Sequence, residues 1–101
     1  MRVIVLFDLP VETQITRRNY SNFRRYLIKN GFLMMQESVY TKLALNQNSA
    51  KAVIDSVKKH KPPEGLVQIL TITEKQFSKI EIITGEVNSD TLDSDERLLF
   101  L

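Results

Sequence analysis

The chain opens on an apolar run, Val3-Ile4-Val5-Leu6-Phe7, that stops at Asp8-Leu9-Pro10. A run of this length, rich in β-branched residues, reads as a strand over residues 2–7 buried on both faces. Pro10 has no N–H to give to a ladder, so pairing ends there. The period then becomes helical. Tyr20, Phe23 and Leu27 share one face of a helix over residues 14–30, with Thr13 as its cap and Gly31 at the stop position. Arg17, Arg18, Arg24, Arg25 and Lys29 fall on an arc of roughly 140° that leaves out those three apolar positions.

Residues 33–43 read as one long strand, with β-branched and aromatic side chains densest at Val39-Tyr40-Thr41. A polar break, Asn46–Ser49, follows, and Ser49 is read as the cap of a helix over residues 50–60. Val53, Ile54 and Val57 of that helix face inward. Lys58, Lys59 and Lys61 crowd its C-terminal end, where cations suit the helix dipole, and Pro62-Pro63 terminates it. Residues 66–73 form a further apolar strand, residues 74–77 a short turn or a single helical turn, and residues 79–84 a last strand closed by Gly85.

These elements are assigned to the order βαββαβ. That order gives an α+β, ferredoxin-like domain: a four-stranded antiparallel sheet with both helices on one face. The domain covers residues 1–86. Residues 87–101 are an acidic linker ending in Leu98-Leu99-Phe100-Leu101. Four apolar residues in such a position need a sheet edge to cover them, so a short C-terminal fifth strand is expected. It belongs either to the same domain or, swapped, to a partner subunit. Two helices cover only one sheet face, and the first strand is too apolar to leave its other face in water. A homodimer joined sheet to sheet is therefore expected.

The length of 101 residues suits one domain. No apolar stretch approaches the roughly 20 residues of a membrane span, and Arg2 leads directly into the first strand, unlike a secretory leader. There is no cysteine, which excludes a disulfide frame and thiolate chemistry. A cytoplasmic protein without a membrane partner is expected. Net charge is only +2, yet residues 1–63 hold eleven Lys or Arg against four acids, and residues 64–101 hold three against eight. That split reads as a basic surface for phosphates and an acidic face or tail for another purpose, or else as an acidic segment that neutralises the basic one within the fold.

Three glycines leave no room for a phosphate-binding glycine loop. The single histidine, His60, lies among lysines and reads as a solvated helix end. Asp8 is the outstanding candidate for chemistry, being the only carboxylate at a strand tip in an apolar setting; Glu12, in the following loop, is placed to stand near it. Asp8 either caps the turn or meets a polar partner. One carboxylate is a sparse magnesium site, but a two-fold axis at the strand tip would bring two copies together. The arginine stripe suits phosphates, through contacts that are salt-sensitive and independent of sequence.

Val5-Leu6-Phe7-Asp8-Leu9-Pro10, the arginine-rich helix ending at Gly31, and Gln36-Glu37-Ser38-Val39-Tyr40 together resemble the small CRISPR-associated adaptation protein family, Cas2, over essentially the whole chain. The resemblance implies a homodimer that joins an integrase subunit to capture foreign DNA as new spacers. It also implies a metal-dependent nuclease, with magnesium or manganese, acting on single-stranded RNA or double-stranded DNA. On that footing Asp8 is the metal-binding and catalytic residue, and Arg17, Arg18, Arg24, Arg25 and Lys29 bind nucleic acid. Gln36 and Ser38 match the second-strand motif and are read as interface residues, with Leu98, Leu99, Phe100 and Leu101. The DNA-binding structural role ranks first and cleavage second. A ferredoxin-like RNA-binding module, with Phe7 and Tyr40 stacking bases on an open sheet, is the alternative.

Overall fold

The structure, a computed structural model, describes residues 1–86. In chain order its elements are β1 (Arg2–Asp8), α1 (Gln14–Lys29), β2 (Leu33–Gln36), β3 (Val39–Leu43), α2 (Gln47–Lys59), β4 (Leu66–Ile72) and α3 (Glu74–Phe77). The four strands form one sheet in the order β2-β3-β1-β4. β1 pairs antiparallel with both β3 and β4, and β2 pairs antiparallel with β3. This is the expected ferredoxin-like α+β fold, reached by a different division of the chain.

Residues 33–43 are two strands. They reverse at Glu37-Ser38, with a register shift between Met34 and Gln36. Residues 79–84 do not pair: among the described residues that stretch is irregular and exposed. The hairpin thus supplies the fourth strand that was expected from the later segment. A fifth strand at Leu98–Leu101 falls outside the described residues. α2 begins earlier than expected because Asn46, an equally good cap, accepts the Ser49 N–H at 2.9 Å. Thr73 leaves β4 to cap α3, accepting from the Gln76 N–H at 3.0 Å.

α1 is fixed at both ends as its sequence requires. Thr13 and Thr16 form a reciprocal capping box. At the other end Gly31 has φ +89°, the Gly31 N–H donates to Ile28 O, and the Phe32 N–H donates to Leu27 O. That pair of bonds is a Schellman stop. Phe32 then enters the core beside Leu27, so the rotation of α1 about its axis is set from within.

Alternation along β1 separates two faces. Val3, Val5 and Phe7 point to the helices and are at most 6% exposed. They pack with Phe23, Leu27, Tyr40 and Val57, and Phe7 meets the rings of Tyr20, Phe23 and Tyr40. Arg2, Ile4, Leu6 and Asp8 lie on the other face. α3 covers its lower end. The Arg2 guanidinium lies 4.2 Å over the Phe77 ring and forms a two-point pair with Glu74 at 2.7 and 3.0 Å. The upper end is bare among the described residues: Leu6 is 37% exposed and Leu70 is 53% exposed. The strand expected to be buried on both faces is therefore buried on one, and on half of the other.

Thr41 sits on the same open side, fully buried, and its hydroxyl has no hydrogen-bond partner among the described residues. A buried donor left unpaired costs about 1–3 kcal/mol. Thr41→Val is expected to stabilise the fold by about 1 kcal/mol, seen as a higher urea midpoint at unchanged m-value. A lower midpoint would show that the hydroxyl is paired.

Candidate functional site

Three connections meet at the upper end of β1: the segment after Asp8, the β2–β3 turn at Ser38, and the approach to β4 at Gly65. The Phe7 N–H donates to Ser38 O at 3.0 Å, and Asp8 stands opposite Leu66 in the β1–β4 register. Gly65 packs directly on this corner with φ +99°, and a Cβ there would lie 2.9 Å from the Asp8 carbonyl oxygen. The strand tip is thus held from both sides by backbone.

The Asp8 side chain is exposed and follows Leu6 onto the open face. It lines a shallow cavity of about 180 Å³ together with Ser38 and Gln68, over Leu6, Val39 and Leu66. Ser38, read from the sequence as an interface residue, is therefore within the same small site as Asp8. Gln36 is exposed at the irregularity of the edge strand β2. Among the described residues no three His, Cys, Asp or Glu side chains gather to hold a metal ion.

The five cations of α1 are all exposed, on the side of the sheet away from the Asp8 carboxylate. They are not equivalent. Arg17 donates to the carbonyls of Val11 at 3.2 Å and Glu12 at 3.4 Å, which ties the connection after Asp8 to the helix. Arg25 donates to Asn22 at 3.3 Å. Arg24 lies toward the Tyr40 hydroxyl, short of hydrogen-bond geometry; burial pushes the Tyr40 phenol up, and the Arg24 charge opposes that shift. Arg18, Arg25 and Lys29 are left as the outward-facing set.

The aromatics expected on an open sheet are not there. Phe7 and Tyr40 point to the helix side, 6% and 0% exposed. The open face carries Leu and Val instead, so the base-stacking alternative loses the rings it required. Leu98, Leu99, Phe100 and Leu101 lie outside the described residues.

Sequence reasoning missed Gly65 and Gln68. The turn signal Pro62-Pro63-Glu64-Gly65 before an apolar strand pointed to the first. The single polar residue inside Leu66-Val67-Gln68-Ile69-Leu70 pointed to the second.

Fold and site define a ferredoxin-like domain with a carboxylate at a strand tip, a sheet face that is apolar and bare among the described residues, and a cationic helix on the opposite side. The chain belongs to the Cas2 family: the family model for CRISPR associated protein Cas2 matches residues 1–80. A CRISPR-associated endoribonuclease Cas2 from Treponema denticola is 58% identical over the full length of both chains. One of the same name from Streptococcus mutans is 43% identical over the whole of this chain and 93% of that relative. The crystal structure of Streptococcus pyogenes Cas2 matches with a TM-score of 0.61 and 14% identity, covering 83% of this chain and all of that one; at that identity the likeness is one of fold. No described helix is long and apolar enough to cross a membrane.

Proposed function

We propose that this protein is a homodimeric, nucleic-acid-binding subunit of the CRISPR spacer-acquisition machinery, bridging integrase subunits, with a metal-dependent phosphodiester-cleaving site built on Asp8. Family membership supports the acquisition role. The name of the relatives, endoribonuclease, supports cleavage. The single observation that carries the dimer is the bare face around Asp8: Leu6, Leu66 and Leu70 are 37, 55 and 53% exposed. An apolar surface of this kind is covered in a working protein. Among the described residues the outer edge of β4 is also unpaired, and Ile80, Ile82 and Ile83 stand exposed just beyond α3. A second copy set sheet to sheet would cover that surface and bring two strand tips together.

The donor set decides how an ion could be held. One carboxylate makes a sparse site, whereas two across a two-fold axis would give an ion two charged ligands while it keeps its waters, which is within magnesium's habit. Manganese accepts the same oxygen donors. When bound, the ion would polarise a phosphodiester oxygen and make a water acidic enough to attack. The chain's own residues do the rest. Asp8 holds the ion, the apolar face excludes bulk water from the seam, and Gly65 keeps the strand tip in place. Arg18, Arg25 and Lys29 hold the nucleic-acid backbone from the helix side.

Sedimentation tests the assembly: a dimer is expected, and a stable monomer would overturn the reading. Replacing Arg18, Arg25 and Lys29 together by Ala tests the binding surface. Each phosphate that is no longer neutralised lowers the slope of log K against log salt by roughly 0.9, so the triple variant should flatten the slope by about 2–3. Fluorescence anisotropy with labelled duplex DNA from about 50 to 200 mM salt reads this directly. An unaltered slope would place the phosphate-binding surface elsewhere.

A further inference from the structure

Gln68 interrupts an otherwise apolar surface. It stands opposite Leu6 in the β1–β4 register, with Leu66 and Leu70 on either side of it along β4. Asp8 stands opposite Leu66, which makes Gln68 its diagonal neighbour, a separation of about 7–8 Å that a long side chain spans. Amide and carboxylate line the same cavity. Neither makes a hydrogen bond among the described residues.

A second copy laid on this face would take the amide out of water. An amide buried without a partner is disfavoured, and apolar side chains would form a better seam at that position. Polar chemistry in the middle of such a surface therefore needs a reason. A carboxylate is an acceptor only, and the Gln amide brings two N–H donors. Carboxylates that hold cations are themselves commonly hydrogen-bonded, and loss of such a partner typically weakens metal affinity or activity.

We propose that Gln68 is a positioning residue for the cation site: its amide N–H donates to the Asp8 carboxylate and fixes the rotation of that group in the covered seam. The inference rests on the reading of Asp8 as the metal-holding residue. It assigns to β4 a function in a site that the sequence placed on β1 alone. Ser38 borders the same cavity from the β2–β3 turn, so two polar residues, one from that turn and one from β4, share the cavity with Asp8.

The test is Gln68→Leu in the full chain, with three readouts. Binding of Mn²⁺ alone, followed by its paramagnetic resonance signal, is expected to weaken about 10–100-fold, and single-turnover cleavage to slow by a similar factor. The dimer, measured by sedimentation at the protein concentrations of the binding assay, should persist in the variant. Mn²⁺ affinity lost from a dimer that still forms is what a merely structural glutamine would not produce. Wild-type Mn²⁺ affinity in Gln68→Leu would overturn the role of Gln68 and leave Asp8 standing. A wild-type protein that binds no Mn²⁺ would overturn both.

Discussion

Asp8→Asn is expected to lower magnesium-dependent cleavage by at least about a hundredfold, with nucleic-acid binding unchanged. A metal ion supplies several kcal/mol of transition-state stabilisation, and each 1.4 kcal/mol or so is tenfold in rate. Asn keeps the shape of Asp and removes the charge that holds a divalent cation. The cationic residues of α1 lie on the other side of the sheet, so anisotropy with labelled DNA should return the wild-type affinity and salt slope. The metal-free dimer should also tighten. Two carboxylates facing each other without a cation repel, and the neutral amides do not. Cleavage at the wild-type rate by Asp8→Asn would remove Asp8 from the chemistry. An equal dimer strength in the two proteins would place the carboxylates far apart.

Gly65→Ala is the second large effect. The new Cβ would lie 2.6 Å from a Leu9 methyl and 2.9 Å from the Asp8 carbonyl oxygen. The methyl can turn aside, but the carbonyl belongs to a strand paired along both edges. At φ +99° an L-residue is strained even in open space, by about 1–2 kcal/mol, and overpacking adds about 1–3 kcal/mol. A loss of about 2–5 kcal/mol is expected, which lowers the melting temperature by some 10 °C or more in a domain of this size. Cleavage should fall more than stability explains, because a strand tip displaced by about 1 Å misplaces the carboxylate, an error that can cost about a hundredfold. Gly85→Ala is the control. Gly85 has φ +100° but nothing within 4 Å of its new Cβ, so it carries the backbone strain without the collision. Calorimetry on the pair separates the two terms. Equal melting temperatures would show that the corner at Asp8 yields.

Much of this arrangement was legible from local pattern. The run Val3–Phe7 specified a strand, and its break at Asp8-Leu9-Pro10 located the tip. Thr13 and Gly31 bounded α1 correctly because caps and stops are local hydrogen-bond chemistry. The spacing of Phe23 and Leu27 fixed which side of α1 is buried, and hence that its cations face outward.

Other features were not legible, for a common reason. In residues 33–43 no Gly or Asn-Gly marks the reversal at Glu37-Ser38, so the apolar pattern runs across the turn as if it were one strand. Residues 79–84 alternate like a strand, yet a strand exists only where a neighbour offers an edge, and none does among the described residues. Phe7 and Tyr40 carried no local sign of which sheet face they occupy, and pairing in the register Val5↔Tyr40 decided it. Arg2 looked like a flank of the first strand; Glu74, seventy-two residues later, and Phe77 made it the clasp of α3.

By itself, then, the sequence determined the two long helices, the strands that became β1 and β4, and where charge collects, because these follow from neighbours within a turn or two of chain. Only the tertiary structure decided that Asp8, Ser38, Gly65 and Gln68 form one corner, and that the arginines lie on the far side of the sheet from it. Strand order and register join positions far apart along the chain, and the free energy that selects them comes from burying faces against each other rather than from any local preference.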